Sequence, residues 1–275
     1  MNSSKKLIIN ADDFGRSLEI NAAVERAAQT GLLGGVSVLA NGECWDQAVS
    51  FLRNTPKLSA GVHLNVVELR PVSTAPEVTI LTGANGMFLG LARLLTRWAL
   101  RPFAVSRAVE IEWRAQIERL TRAGVRVTHV DSHQHVHAFP PAYRCAVGLC
   151  KEYGIRAIRH PRENNNRRGR LIPSLALQGS LVIARGLTRS PGLRHNDHFL
   201  GFKRAGAYGF AELIDDLRAI SNGLTEVALH PSLKDGVPYP KMSGGRELAA
   251  LMDDSLADRI RQLGIELTTW AAVSQ

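Results

Sequence analysis

Short apolar runs alternate with stretches of helical spacing along most of this 275-residue chain. Residues 5–10 (KKLIIN) form an apolar run that reads as a strand and ends in Ala11, Asp12, Asp13, Phe14 and Gly15. From Ser17 onward, Ile20, Ala23, Val24 and Ala27 fall on one helical face, and Gly31 closes the pattern. Strands are predicted over 35–40 (GVSVLA) and 58–64 (LSAGVHL), with a helix over 46–52 between them. Later strands are expected over 127–130, 155–158, 226–229 and 265–270, and later helices over 106–123, 140–152, 210–220 and 247–263.

Two blocks interrupt this alternation, at about 71–105 and 164–203. The first is rich in Pro, Thr and Gly, then gives way to MFLGLARLLTRWAL. There helical spacing places Phe88, Leu91, Leu94, Leu95 and Trp98 on one face beside a stripe of Arg93, Arg97 and Arg101. The second opens on three asparagines and RRGR, then reads as irregular, with the apolar runs 171–177 and 181–187 set among arginines.

Strands alternating with helices predict an α/β protein with a mostly parallel sheet of about seven strands and helices outside it. Nearly every strand ends in a group able to do chemistry: Asp12 and Asp13, Asn41, His63 with Asn65 just beyond it, His133, Arg159 and His230. A β/α barrel would bring all of these to one mouth, because its active site lies at the C-terminal ends of the strands. An open doubly wound sheet would gather only the few at its switch point. The length permits two average domains, but a single barrel domain over 1–275, with insertions at the two irregular blocks, accounts for the pattern.

Four of the nine histidines lie in VTHVDSHQHVH, residues 127–137. On an extended strand His129, Asp131 and His133 share one face. Such a strand end reads either as a polar turn or, together with the other strand ends, as part of a metal site. A hydrolytic centre needs about three protein ligands and an open position. One aspartate of the Asp12–Asp13 pair, His63 and His133 would supply the ligands, and the other aspartate could accept a proton. Neighbouring strand residues point opposite ways, so both serve one site only if the chain bends there, and Gly15 is the expected place for the turn. The same pair also reads as a helix cap and turn. His230, held extended before Pro231, is a candidate general acid or a structural histidine. No G-x-S-x-G elbow, no cysteine beside a histidine and no Gly-rich phosphate loop occurs, so a covalent nucleophile and a phosphate cradle have no support.

Charge adds a second theme. The chain carries a net +9, with no acid between Glu77 and Glu110 or between Glu163 and Asp197. Such blocks suit an anionic membrane surface, an acidic substrate or plain solubility, while the absence of a recognisable nucleic-acid module and the few aromatics in the basic runs argue against nucleic acid. The helix around 87–101 could lie in a membrane interface, and the apolar runs 171–177 and 181–187 could line a groove for a lipid tail. Equally, both could pack on the barrel or against a second subunit. No apolar stretch has membrane-spanning length, the first residues lack a signal-peptide pattern, and three cysteines have no metal-type spacing. A cytoplasmic protein is expected, with or without peripheral contact at the inner membrane.

NADDFG at 10–15, GVHLN at 61–65, THVDSHQHVH at 128–137 and LHP at 229–231 resemble the YdjC-like carbohydrate deacetylases, from about residue 5 to the C-terminus. The resemblance implies a distorted β/α barrel that removes the acetyl group from N-acetylglucosamine units with a divalent metal, zinc or magnesium. Carried over residue by residue, it implies Asp13, His63 and His133 as metal ligands, Asp12 as base and His230 as acid. His135 and His137 belong to the motif without a ligand role, and Asn41, Asn65 and Arg159 remain as strand-end groups for substrate contact. The block after Glu163, with RHNDHFLGF near its end, resembles the hopanoid-biosynthesis-associated branch of that family. That branch implies an N-acetylglucosaminyl hopanoid lipid as substrate, giving glucosaminyl hopanoid and acetate. Soluble chitooligosaccharides are the alternative substrates, and a non-catalytic lipid- or sugar-binding protein on the same fold is the alternative of another kind.

Overall fold

The first strand, β1 (Lys5–Phe14), is the axis of the sheet, with eight of its ten residues buried. This computed structural model describes residues 4–163, 171–188, 190 and 192–275. After β1 come α1 (Leu18–Gln29), β2 (Gly35–Val38), α2 (Trp45–Asn54) and β3 (Ala60–Leu64). The first insertion supplies α3 (Leu91–Leu100), and α4 (Pro102–Arg122), β4 (Val127–Ser132) and α5 (Pro140–Glu152) follow. The second half holds α6 (Leu171–Leu187), β5 (His198–Leu200), α7 (Phe210–Arg218) and β6 (Gly223–Leu229). It closes with α8 (Gly244–Leu251), α9 (Leu256–Gln262), β7 (Ile265–Leu267) and α10 (Trp270–Val273).

All pairings are parallel, in the order β4-β3-β2-β1-β6-β5, and β7 pairs with the start of β1. Parallel strands need crossovers, and the helices that make them cover the outside of the curled sheet. Between the outer strands, isolated parallel bridges Val130–Ile158 and Ala157–Arg194 carry the wall from β4 toward β5. The sheet is thus a half-barrel completed by irregular chain, which is the distortion expected for the fold, and every strand end opens on the same side.

Four elements differ from the sequence pattern. The strand expected over 155–158 is reduced to the two bridges, because Asn196 takes up the neighbouring backbone, accepting from His160 N–H and donating to His160 C=O. The block read as irregular contains α6 and β5. Apolar residues all round α6 gave no helical stripe to detect, and β5 is only three residues long. The helix expected over 247–263 breaks into α8 and α9, where Asp253 accepts from both the backbone and the hydroxyl of Ser255. The last strand stops at Leu267, and Thr269 caps α10 by accepting from Ala272 N–H. The apolar stripe predicted on α3 faces inward: Leu94 and Trp98 are buried in the core, so this stripe is not the face that a membrane would meet.

Inside the half-barrel His129 stacks on Trp270 with ring centroids 4.8 Å apart, and it leaves no room at Gly61 on β3. A Cβ there would lie 2.4 Å from the His129 ring. Gly61→Ala is therefore expected to cost about 1–3 kcal/mol, as overpacked cores do. The midpoint of urea unfolding checks this, and an unshifted midpoint would mean that the His129–Trp270 stack yields freely.

Candidate metal centre and active site

The bend that β1 needs is made by Asp13 itself. Its φ of 63° is left-handed, and the register with β2 slips between Ala11 and Phe14. Aspartate tolerates this conformation better than most residues. Gly15, the expected turn, is also left-handed at 97°, but the two carboxylates are already aimed by then. Gln134 and His135 take the same backbone region after β4, as does Leu69 after β3. Among the described residues these four are the non-glycine positions with positive φ, and each lies in or next to a strand-end loop of the site. Strain of this kind persists where the surroundings fix it, which is typical of functional sites.

Asp13, His63 and His133 each offer a ligand atom, and these atoms lie within 4.8 Å of one another. Asp13 Oδ1 is 3.0 Å from His133 Nδ1 and 3.5 Å from His63 Nε2. All three side chains are buried, yet neither carboxylate oxygen of Asp13 has a hydrogen-bond partner. An orphaned buried carboxylate facing two imidazoles suits a divalent cation. His63 is oriented for the same purpose. Its Nδ1 is 2.8 Å from Asp131 Oδ1, which can only accept, so Nδ1 carries the proton and Nε2 presents its lone pair toward Asp13. A second trio, Asp12, His63 and Asp131, is as compact, but its carboxylates are already taken.

What takes them is Arg159. Its guanidinium is completely buried and pairs with Asp12 through two bonds (2.7 and 2.8 Å), with Asp131 at 2.7 Å and with Glu226 at 2.8 and 3.0 Å. Asn10 donates to Asp12 and to Ser37, and Ser37 donates to Asp131. Against the effect of burial, Arg159 and His63 hold Asp131 well below the usual carboxylate range. Burial pushes Glu226 up to about 7, with Arg159 opposing. Asp12, Asp131 and Glu226 thus share one buried arginine, Asp13 is left facing the two imidazoles, and the surplus negative charge is what a bound cation neutralises. Without one, Asp13 and Glu68 push His133 up to about 9 against the opposing effect of burial.

The centre opens into a cavity of about 640 Å³. Asp12, Asp13, His63, His133 and His230 line its polar side, while Leu91, Phe199, Phe202 and Met242 line the apolar one. His230 directly follows β6, donates its backbone N–H to Glu247 at 2.5 Å, and leaves its ring Nδ1 without a partner. The structure therefore brings together Asp12, Asp13, His63, His133 and His230. Arg159, Asn41 and Asn65, expected to touch substrate, do not line the cavity. Asn65 is fully buried and donates to Glu68 C=O while accepting from the Val67 and Glu68 amides. Asn41 donates to the carbonyls of Glu68 and Arg70. These two side chains shape the loop that presents Glu68. His137 is locked between Ser132 and the Arg159 carbonyl, whereas His135 lies against Phe199 and Phe202 on the cavity wall.

Sequence reasoning missed a second rank of residues. Tyr239 O–H donates to Glu68 at 2.5 Å and sits 3.0 Å from His133 Nε2, while Arg16 and Gln134 donate to Glu68. Against the effect of burial, His133 above all, then Tyr239 and Arg16, draw Glu68 down to about 2. Glu68 follows β3 as the other strand-end groups follow theirs, which was a usable signal. Tyr239 lies in a loop with none. Tyr239→Phe is expected to loosen His133 and lower kcat/KM about three- to tenfold, the worth of one hydrogen bond. Steady-state kinetics at saturating metal would show it, and unchanged kcat/KM would make the hydroxyl irrelevant to His133.

The model of the family described as YdjC-like protein matches residues 6–262. A carbohydrate deacetylase of Brevibacillus brevis is 31% identical over 272 residues, covering 97% of this chain and 98% of that protein. A chitooligosaccharide deacetylase of Escherichia fergusonii is 27% identical over 274 residues, covering 97% and 98%. Among solved structures, a putative cellobiose-phosphate cleavage protein of Enterococcus faecalis superposes with a TM-score of 0.77 at 24% identity, over 99% of this chain and all of that one. The half-barrel is therefore a shared fold, and this chain is a member of the YdjC-like family.

Proposed function

We propose that this protein is a metal-dependent hydrolase that removes the acetyl group from an N-acetylated amino sugar. The observation that carries the reading is the orphaned Asp13 carboxylate facing His63 and His133 at the floor of a substrate-sized cavity, with Asp12 and His230 on its walls. The names of the Brevibacillus brevis and Escherichia fergusonii relatives support it.

A divalent cation, zinc or magnesium, held by Asp13, His63 and His133 would polarise the acetamide carbonyl and lower the pKa of a water beside it. Asp12, fixed by Arg159 and Asn10, takes the proton that this water loses as its oxygen adds to the carbonyl carbon. His230 gives a proton to the nitrogen as the C–N bond breaks, so the products are acetate and the free amine. Arg159 keeps Asp12 from turning inward and does not itself meet the substrate.

Two substrate classes fit. The name of the Escherichia fergusonii relative supports a soluble chitooligosaccharide. The apolar wall of Leu91, Phe199, Phe202 and Met242 supports a lipid-linked sugar such as an N-acetylglucosaminyl hopanoid, which a peripheral enzyme would meet at a bilayer. Acetate release from diacetylchitobiose and from N-acetylglucosaminyl bacteriohopanetetrol, each with and without chelator, tests both. Chelator-sensitive release from either supports the hydrolase, and the preferred substrate decides the class. Release from neither after reloading zinc or magnesium would overturn the reading.

A further inference from the structure

The second insertion builds a helix with an unusual surface. Over its 17 residues α6 carries one charged side chain, Arg185. Leu181 and Ala184 pack inward, yet Val182 is 67% and Leu187 72% exposed. Ile183, one turn before Leu187, shares its outward face. Across a cleft from Leu187, at the elbow between α3 and α4, Leu100 is 76% and Phe103 90% exposed. Among the described residues, most of the strongly exposed large apolar side chains gather on these two insertion elements. A helix that is apolar on its open face as well as its packed one needs a partner, and a patch of this kind marks an interaction surface.

The charge around it says which kind. Arg144 lines the cleft and is exposed, and Arg101, next to Leu100, and Arg185, on α6, are exposed as well. The two acids of the cleft, Glu110 and Glu152, are both held by Arg114. A second copy docked about a two-fold axis would bring the same cationic rim to both sides of the interface. Anionic phosphate headgroups around an apolar interior match both the rim and the centre. No helix among the described residues is long and apolar enough to cross a membrane, which agrees with seating in the interface.

We infer that the outer face of α6 and the α3–α4 elbow form a docking surface for an anionic phospholipid bilayer, with Phe103, Ile183 and Leu187 entering the headgroup layer. This surface stands apart from the cavity, and the inference does not rest on the deacetylase reading. The test is co-sedimentation of the full chain with phosphatidylglycerol–phosphatidylcholine vesicles and with phosphatidylcholine vesicles alone. Binding to the anionic vesicles, weakened by raised salt, is expected. The double variant Phe103→Asp, Leu187→Asp should lower the bound-to-free ratio at least tenfold, with an unchanged thermal midpoint because both side chains are exposed. Arg144→Glu should lower it by a smaller factor. Absence of binding by the native protein, or equal binding by the double variant, would overturn the inference. So would a dimer in sedimentation velocity that the double variant dissolves, which would assign the face to a second copy.

Discussion

Asp13→Asn should strip the protein of its metal and lower acetate release by roughly a thousandfold or more, the several kcal/mol that a Lewis-acid centre contributes. Asparagine is the informative substitution because it keeps the shape and tolerates the φ of 63°. Alanine would add backbone strain to the loss of the ligand. Metal content after dialysis and turnover under added metal measure the two effects separately, and His63→Gln and His133→Gln should behave alike. Asp12→Asn is the contrasting case. Its carboxylate is engaged by Arg159 and Asn10, so this variant should retain metal and lose turnover. If Asp12→Asn lost the metal while Asp13→Asn kept it, the roles of ligand and base would be exchanged.

The legible part of this protein is the part written in period and punctuation. Alternating apolar runs and helical stripes marked six of the seven strands and most helices, because buried parallel strands are continuous apolar runs and surface helices carry stripes. The polar groups at strand ends marked the mouth, and five of the candidate residues meet there: Asp12, Asp13, His63, His133 and His230. What stayed hidden depended on side chains meeting across the barrel. Nothing local distinguishes Arg159, an arginine after an apolar run, from a substrate-binding arginine. Its role is visible only when Asp12, Asp131 and Glu226 converge on it from three other strands. Asn41 and Asn65 mislead in the same way, since both follow strands but serve the backbone of the loop around Glu68. The block around α6 was missed for the opposite reason: a helix apolar on every side has no stripe to read.

Arg159→Met should be the most destabilising single change in the barrel. A methionine fills much of the volume but leaves three buried carboxyl groups without their cation, and breaking even one buried pair costs about 3–5 kcal/mol. Set against total stabilities of roughly 5–15 kcal/mol, that loss brings the protein close to unfolding. Its dependence on pH separates a charge effect from lost packing. A carboxyl whose folded pKa lies above its unfolded value contributes stability at low pH that is lost as pH rises through the folded pKa. Glu226 is already raised from 4.5 to about 7, and without Arg159 to oppose burial it rises further, while Asp131 loses the largest of the charges that hold it down. The deficit of Arg159→Met relative to the native protein should therefore be smaller at pH 5 than at pH 8. Adding Glu226→Gln, which removes one of the uncompensated charges, should recover part of it at pH 8. Urea unfolding of the four proteins at both pH values measures all of this. A deficit independent of pH would mean that Arg159 holds the barrel by shape, and the buried charge balance proposed for the metal centre would lose its main support.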